Sequence, residues 1–308
     1  MPDVAIIPTM DCEPPDPAIS AHASSKSGTG PPDWEFGKAA IRGFAERCAE
    51  ADLSPTLFIH PQVGDRYRDL FLELQSEGAC LALHLHPYKF DETYTEDLGA
   101  YPEPEQRDLL EAAIAEWEAI FGEHPRLIRG GVYSANDVTM PILEDLGFTG
   151  GSLSTPGRVK PSAAAVWAGA PLDPHRGHAG FRLLAGDLDF VEVPLTVDPT
   201  RSAQSGHLGQ GGYESLYVSD VEAEALVPDP EPYDLAAVTR NVLDRIAREE
   251  PAVPTLVTNT HNNMDYANPD HRAVANLQTV IQTATARCDD LDLNLVSDTV
   301  AGVVAAVD

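Results

Sequence analysis

The sequence has few lysines and few basic residues of any kind. Lysine occurs only at positions 26, 38, 89 and 160, and the 20 lysines and arginines together are outnumbered by 49 acidic residues. A protein with a formal net charge of −29 repels a polyanion and lacks the excess of basic residues that would bind one. The composition therefore argues against nucleic acid and against anionic membranes as partners.

Aromatic residues are also sparse, at 7% of the chain, and many apolar segments are rich in alanine. Together with the excess of acid, this composition is typical of proteins from salt-accumulating halophilic archaea. In such cells, concentrated salt shortens the Debye length and screens the repulsion between carboxylates. The composition predicts a halophilic archaeal source and loss of the fold at low salt; the alternative is an ordinary acidic protein.

Cysteine occurs four times and never in a CxxC spacing, at positions 12, 48, 80 and 288. Such dispersion predicts neither a zinc cage nor a disulfide framework, and it suits a reducing compartment. No apolar run approaches the ~18 residues that a membrane span needs. The first residues lack the basic region and apolar core of a signal peptide. We therefore predict a cytoplasmic location.

Short β-rich runs alternate with helical patterns through most of the chain, and 43% of its residues are hydrophobic. The predicted strands are Val4–Met10, Pro55–His60, Ala79–His86, Arg126–Gly131, Thr149–Ser154, Asp189–Thr196, Pro254–Thr260 and Leu293–Ser297. The predicted helices are Phe36–Ala51, Tyr67–Glu77, Pro104–Phe121, Pro141–Leu146, Leu235–Glu249, His271–Arg287 and Val300–Val307. This order predicts parallel strands with helical crossovers.

A distorted (β/α) barrel with seven or eight mostly parallel strands fits the α/β pattern better than an open sheet. No GxGxxG turn follows the first strand, and polar residues cluster at several strand ends. Three segments interrupt the alternation of strand and helix patterns and are predicted to be loop insertions: residues 13–33, 89–103 and 197–232. Because no linker divides the chain, we predict one domain over residues 1–308.

Two apolar runs end abruptly in residues that can bind a metal. One is Leu81-Ala82-Leu83-His84-Leu85-His86-Pro87 and the other is Thr9-Met10-Asp11-Cys12-Glu13. Residues two apart in a strand point to the same side, so His84 and His86 share one direction, as do Asp11 and Glu13. Two imidazoles and two carboxylates at neighbouring strand ends predict a site for one divalent ion. The alternative for the two carboxylates is to cap the following turn.

These motifs, taken in order, resemble those of the polysaccharide deacetylase superfamily, the NodB-homology fold, and of its branch with HxHP in the second motif. The resemblance covers roughly residues 1–300. It is carried by TMDCE at 9–13, PTLFI at 55–59, EGACLALHLHP at 77–87, RGGVYS at 129–134, SLSTPG at 152–157, VEVP at 191–194 and TH at 260–261.

The resemblance implies one bound divalent metal, with zinc as the first choice and manganese, cobalt or iron as alternatives. Glu13 and His84 match metal ligands of the family, although Asp11 and Glu13 can exchange the roles of ligand and base. The family's second histidine ligand lies four residues after the first, where this chain has Tyr88. His86 is the substitute that the resemblance implies.

For catalysis, the resemblance implies Asp11 as general base, His261 as general acid and Arg129 as the partner that orients the base. Turn-building is the alternative for His261. Backbone around residues 131–133 would supply oxyanion donors, and Tyr133 and Trp34 are candidate substrate-binding residues.

The implied reaction is hydrolysis of a C–N amide bond, first of all N-deacetylation of an amino sugar or of a sugar-containing precursor. A cytoplasmic location favours a nucleotide-linked or lipid-linked precursor. The alternatives are a hydrolase of small amides or ureides and a non-catalytic carbohydrate-binding barrel with a degenerate site. The carbohydrate-binding barrel remains an alternative because Gly151 occupies the position where the family's fourth motif usually has an aspartate. The oligomeric state is left open.

Overall fold

The structure is a computed structural model, and it describes residues 1–15, 30–204, 211–219 and 234–307. Most of the insertion predicted at residues 13–33 and much of the one at 197–232 lie outside these ranges. None of the described helices combines the length and the apolar character that crossing a bilayer requires.

The strands are β1 Asp3–Ile7, β2 Thr9–Cys12, β3 Thr56–Ile59, β4 Cys80–Leu85, β5 Leu127–Gly130, β6 Gly150–Gly151, β7 Val159–Lys160, β8 Ala165–Val166, β9 His175–Arg176, β10 Val191–Glu192, β11 Val197–Gln204, β12 Gly211–Ser215, β13 Thr255–Val257, β14 Thr260–His261 and β15 Asn294–Ser297. The α-helices are α1 Trp34–Ala49, α2 Pro61–Arg66, α3 Arg68–Ser76, α4 Pro87–Phe90, α5 Glu103–Phe121, α6 Thr139–Asp145, α7 Leu235–Glu249, α8 Arg272–Asp290 and α9 Val300–Ala306. Strands and helices alternate from β2 to β6 and again from α7 to α9, whereas β6 to β12 follow one another with no α-helix between them among the described residues.

The main sheet is a curled half-barrel with the strand order β14-β2-β3-β4-β5-β6-β10-β9, and only β9 runs antiparallel to its neighbour. Its first strands continue into a smaller parallel sheet, β13-β1-β15. Between β10 and β13 the barrel is closed by irregular chain and not by a strand pair. There the Thr196 N–H donates a hydrogen bond to the Val257 carbonyl at 3.2 Å. The predicted distorted α/β barrel is therefore confirmed.

Side chains alternate along the strands between two apolar clusters. In β1, Val4 and Ile6 join the large cluster beneath the surrounding helices, whereas Ala5 and Ile7 join a small cluster in the barrel interior. Helix α9 contributes its buried valines to the small cluster and so fills one end of the barrel. The same alternation continues along β2, β4 and β5. It places their inward-facing polar side chains at the end of the barrel opposite α9.

Several predicted boundaries and segments differ from the structure. The first predicted strand is interrupted at Pro8, which has no N–H to donate to a neighbouring strand. Helix α2 was missed because it is only six residues long, too short for a helical period. Within the segment predicted to be a loop insertion at 197–232, the described residues include β11 and β12, which pair antiparallel in a sheet of order β11-β12-β7-β8.

Candidate metal centre and active site

Polar side chains project into the barrel at the carboxyl ends of β2, β4 and β5. Along β2, Met10 and Cys12 pack into the large outer cluster, so Asp11 and Glu13 take the opposite side. The same alternation turns His84 inward on β4. The side chains that meet in this region are all buried: Asp11, Glu13, His84, His86, Arg129 and His261.

One oxygen of Glu13 lies among three imidazole nitrogens. Its Oε1 is 3.2 Å from Nε2 of His86, 3.3 Å from Nε2 of His261 and 3.5 Å from Nε2 of His84. Ligand atoms about 2.1 Å from a tetrahedral zinc ion lie about 3.4 Å from one another. The distances from Glu13 Oε1 to the three nitrogens are therefore of the size expected between two ligands of one tetrahedral ion.

The donors fall into two groups of three that share Glu13. In one group Glu13 lies with His84 and His86, and in the other it lies with Asp11 and His261; within each group all ligand atoms are within 4.8 Å of one another. The structure thus brings together the five residues that the sequence nominated, and it separates the strand-β4 histidines from the histidine of β14.

His84 has the tautomer that a metal ligand needs. Its Nδ1 lies 3.0 Å from the backbone carbonyl oxygen of Arg129, which can only accept, so Nδ1 carries the proton. Nε2 is the ring nitrogen left to bind an ion, and it is buried and has no hydrogen-bond partner among the described residues. A backbone carbonyl that fixes one ring nitrogen while the other faces the ion is the usual arrangement of metal-bound histidine.

Burial and charge set the protonation of the remaining ligands. Burial lowers the pKa of His86 to about 4, which keeps the ring neutral. Burial alone would raise the pKa of Glu13, but the Lys89 ammonium and His86 hold that pKa well below its usual range. The group of Glu13, His84 and His86 therefore presents a carboxylate, the neutral ring of His86 and the ring of His84 to a cation.

Lys89 is the nearest positive charge to this group, and the sequence did not point to it as a site residue. Its buried Nζ donates to Oε2 of Glu13 at 2.5 Å, which leaves Oε1 directed at the histidines. The position follows from α4, a single turn that begins at Pro87 and brings Lys89 back over the end of β4. Its only signals in the sequence were the rarity of lysine and the closeness to His86.

Asp11 is held by Arg129 and Asn259. Arg129 Nη1 donates to Oδ1 of Asp11 at 2.7 Å, and Asn259 Nδ2 donates to Oδ2 at 3.2 Å. Burial works to raise the pKa of Asp11, but the charge and hydrogen bond of Arg129, together with His84 and His261, outweigh burial and lower the pKa. Asp11 is therefore ionised and oriented. Asn259 could have been anticipated, because it precedes His261 by two residues and so shares its side of the chain.

His261 is positioned by a residue from the segment predicted to be an insertion. The Tyr217 hydroxyl lies 3.0 Å from Nδ1 of His261, while Nε2 faces Oδ2 of Asp11 at 3.5 Å and Oε1 of Glu13 at 3.3 Å. Burial, with the charges of Asp11 and Glu13, raises the pKa of Tyr217, so its hydroxyl keeps a proton to donate.

The turn after β5 is tight and strained. Val132 and Tyr133 have φ angles of 49° and 58°, in the left-handed region that a β-branched residue rarely adopts. A Cβ on Gly131 would lie 2.2 Å from the ring of His86. Glycine is required there because the imidazole packs directly on the backbone, and this contact fixes the ring of His86.

Arg129 has partners at both terminal nitrogens although Gly151 has no side chain to contact it, and its buried Nε has none among the described residues. A Cβ at Gly151 would lie 2.2 Å from the carbonyl oxygen of Ile128, so no larger side chain fits at that position. Ser152 provides a contact instead, since its Oγ accepts from Nη2 of Arg129 at 3.0 Å. Thr9 accepts from Nη1 at 2.8 Å.

A cavity of about 350 Å³ opens beside these residues, and its lining includes Asp11, His86, His261 and Tyr133. Trp34 is not among the described residues that line it. Instead Trp34 lies edge-on to Tyr67, with ring centroids 6.0 Å apart, and under the guanidinium of Arg66.

His60 lies at the end of β3, and neither of its buried ring nitrogens has a hydrogen-bond partner among the described residues. Burial lowers the pKa of His60 well below its usual range. The ring is therefore neutral.

Comparison with solved structures supports the same fold. The chain is 14% identical to a candidate polysaccharide deacetylase from Mycobacterium smegmatis, with a TM-score of 0.58 over 99% of this chain and 90% of that one. It is 13% identical to PuuE allantoinase, with a TM-score of 0.58 over 99% and 89% of the two chains. A candidate polysaccharide deacetylase from Pseudomonas aeruginosa PAO1 gives 11% identity and a TM-score of 0.57 over 99% and 90%.

No protein-family profile matches the sequence, and no curated protein matches it. At such low identities, the likeness to solved structures establishes the fold and leaves the chemistry to the geometry of the site.

Proposed function

We propose that this protein is a divalent-metal-dependent hydrolase of C–N amide bonds, and that its reaction is N-deacetylation of an amino sugar or of a sugar-containing precursor. The observation that carries the proposal is the placement of Glu13 Oε1 at 3.2–3.5 Å from three imidazole nitrogens. Mixed nitrogen and oxygen donors at this spacing suit zinc first, with manganese, cobalt or iron as alternatives.

Glu13, His84 and His86 hold the ion in this proposal, and Asp11 and His261 remain for proton transfer. A bound divalent ion would polarise the amide carbonyl and make a water molecule more acidic. Asp11 accepts the proton of the attacking water, since Arg129 keeps its carboxylate ionised and directed into the cavity. Arg129 is a positioning residue, because its guanidinium is fully buried behind Asp11.

His261 supplies the proton that the departing amine needs. Tyr217 binds Nδ1, and Nε2 faces the cavity beside Asp11. As general acid the ring donates its Nε2 proton from the imidazolium form and becomes neutral imidazole. Once Asp11 holds the proton of the water, that proton can replace the one that His261 releases, so the pair returns to its starting state. Backbone N–H groups of Val132 and Tyr133, which line the cavity, would stabilise negative charge on the amide oxygen.

The substrate class follows from the cavity. A volume of about 350 Å³ suits one sugar residue or a comparably small amide. Tyr133, Tyr213 and Tyr217 line it and provide aromatic surface for a sugar ring. The small-amide alternative is supported by the likeness to PuuE allantoinase in fold alone, so it enters the test as a second substrate.

The test is release of acetate from N-acetylglucosamine and its short oligomers, with hydrolysis of allantoin measured in parallel. We expect acetate release that a chelator abolishes and zinc restores. Asp11→Asn should lower the rate by about 10²–10⁴-fold, while the exposed Asp69→Asn, with the same change of charge, should not. A zinc-bound wild type that cleaves neither substrate would refute the hydrolase and favour the carbohydrate-binding barrel.

Three further assignments complete the proposal. The chain would represent the HxHP branch of its superfamily, with His86 replacing the histidine four residues after the first. It would come from a halophilic archaeon, and its four free cysteines suit a reducing cytoplasm. Circular dichroism over a potassium chloride series tests the halophilic assignment, which requires loss of ellipticity as the salt is diluted. A spectrum unchanged down to low salt would contradict it.

A further inference from the structure

The cavity beside the candidate metal centre has two cationic residues in its lining, Arg158 and Lys160. Neither forms an ion pair with any described carboxylate, although the chain has 49 acidic residues for 20 basic ones. Most described arginines are paired, as in Arg107–Asp145, Arg245–Asp173 and Arg287–Asp244. Two unpaired cations in one cavity of so acidic a protein require an explanation.

Arg158 is held in place without being neutralised. Its backbone N–H donates to the Thr155 carbonyl at 3.0 Å, and its Nη1 donates to the Val132 carbonyl at 3.2 Å. The guanidinium carbon lies 5.7 Å from the ring centroid of Tyr133. No other nitrogen of this side chain has a hydrogen-bond partner among the described residues. The guanidinium is therefore held in one orientation and still has N–H groups that can donate to a ligand.

Lys160 adds a second positive charge two residues further along β7. Burial lowers the pKa of Arg158, and burial together with the Arg158 charge lowers the pKa of Lys160. Asp97 is the acidic side chain that acts on both, and it also lies 4.0 Å from Nδ1 of His86. An anion bound between the two cations would relieve both desolvation and mutual repulsion.

We propose that Arg158 and Lys160 form a subsite for an anionic group of the substrate, a phosphate or a carboxylate, on the same small molecule as the amide to be cleaved. The proposal rests on the proposed function, because the cavity that contains these cations also contains Asp11, His86 and His261. At about 350 Å³ the cavity is too small to separate the two groups onto distant parts of a polymer. The planar fork of Arg158 matches the oxygens of both anions.

The subsite explains a contrast in the charge distribution. A surface of net charge −29 repels anions in general, so a local cationic pair is needed to bind an anionic substrate at all. The rest of the cavity wall near the pair contributes Val159, Tyr213 and the backbone of Gly212, which can contact the body of a sugar residue.

The experiment compares matched acetamides at one fixed salt concentration. N-acetylglucosamine is the neutral substrate, N-acetylglucosamine 6-phosphate tests the phosphate, and N-acetylmuramic acid tests the carboxylate. Acetate release gives kcat/KM for each, and isothermal titration calorimetry gives the binding constant without requiring turnover. The variants are Arg158→Gln, Lys160→Gln and Arg158→Lys, with Arg240→Gln on the exposed face of α7 as the matched loss of charge outside the cavity.

We expect the wild type to prefer at least one anionic substrate, and each glutamine variant to reduce that preference by about tenfold or more. Arg240→Gln should leave the preference unchanged, and Arg158→Lys should retain part of it. Preference for the 6-phosphate alone, or for the muramic acid alone, identifies the anion. Equal ratios in the wild type and in both glutamine variants would overturn the subsite.

The failure of the subsite and the failure of the proposed reaction are distinguishable. If calorimetry shows charge-dependent binding but no acetamide is cleaved, the subsite stands and the hydrolase does not. If all three acetamides are cleaved with equal efficiency, the hydrolase stands and the subsite does not.

Discussion

Lys89 donates a hydrogen bond to Oε2 of Glu13 at 2.5 Å, and both side chains are buried. A buried ammonium thus neutralises the carboxylate that the metal would also bind. Because each oxygen of Glu13 has a different cationic partner in this arrangement, the ammonium and a metal ion can stabilise the same carboxylate together.

We predict that Lys89→Met destabilises the metal-free protein by about 3–5 kcal/mol, since it leaves the Glu13 charge buried and uncompensated. Zinc should restore much of the loss. The measurement is chemical denaturation with and without zinc at constant salt. The double variant Glu13→Gln/Lys89→Met is the control, because it removes both charges and should be less destabilised without zinc. An equal loss in the single and double variants would contradict the ion pair.

Arg129→Met should cost about 3–5 kcal/mol of unfolding free energy, because it removes the buried cation that faces Asp11 at 2.7 Å. The matched control is Arg42→Met, which breaks the half-exposed pair with Glu73 and should cost no more than about 1 kcal/mol. Denaturation of both variants at one salt concentration gives the comparison. Similar costs for the two would show that Asp11 does not depend on Arg129.

Gly131→Ala should weaken zinc binding by about 10–100-fold, the usual cost of disturbing a group that orients a ligand. The added methyl group would lie 2.2 Å from the His86 ring and force it out of place. Gly180→Ala is the control, since nothing lies within 4 Å of the methyl group it would add. Competition with a chromogenic chelator measures both affinities. Unchanged affinity in Gly131→Ala would mean that His86 is not a ligand.

Glu192 gives a prediction for pH. Burial raises its pKa to about 7, although Ser154 and the N–H of Leu153 donate hydrogen bonds to its carboxyl. The folded state therefore binds this proton more tightly than the unfolded state, so the stability that the proton contributes is present below about pH 4.5 and is lost as the pH rises through 7.

Between pH 5 and pH 8 the unfolding free energy of the wild type should fall by about 2 kcal/mol more than that of Glu192→Gln. Glu111→Gln, at an exposed position of α5, makes the same change of charge and should follow the wild type. Parallel pH profiles for the wild type and Glu192→Gln would mean that Glu192 titrates at the same pH in both states.

The strand periodicity was enough to predict the barrel and the inward side of Asp11, Glu13 and His84. Strands of alternating burial fix which side chains face the interior, and parallel order brings their carboxyl ends together. Both features are local in the sequence, so no knowledge of tertiary contacts was needed. The inward direction of His86 was predicted for the same reason, although this residue lies just beyond the end of β4.

The remaining site residues depend on contacts that no local pattern encodes. Tyr217 reaches His261 from a segment predicted to be a loop insertion, and the pairing of that segment with residues near 259 is set only in the folded chain. Lys89 is directed by one short helical turn after Pro87. Trp34 was proposed for the substrate because of its position beside an insertion, whereas its ring packs on Tyr67.

Metal content is the measurement that tests the proposed centre most directly. The wild type and His84→Ala/His86→Ala would be loaded with zinc, dialysed in molar potassium chloride and measured by inductively coupled plasma mass spectrometry. His124→Ala/His178→Ala, outside the cavity, is the control, and circular dichroism confirms folding of all three proteins. We predict about one ion per chain in the wild type and the control, as a single tetrahedral site requires, and none in His84→Ala/His86→Ala. A folded wild type that retains no metal, or an equal content in all three proteins, would contradict the proposed metal centre.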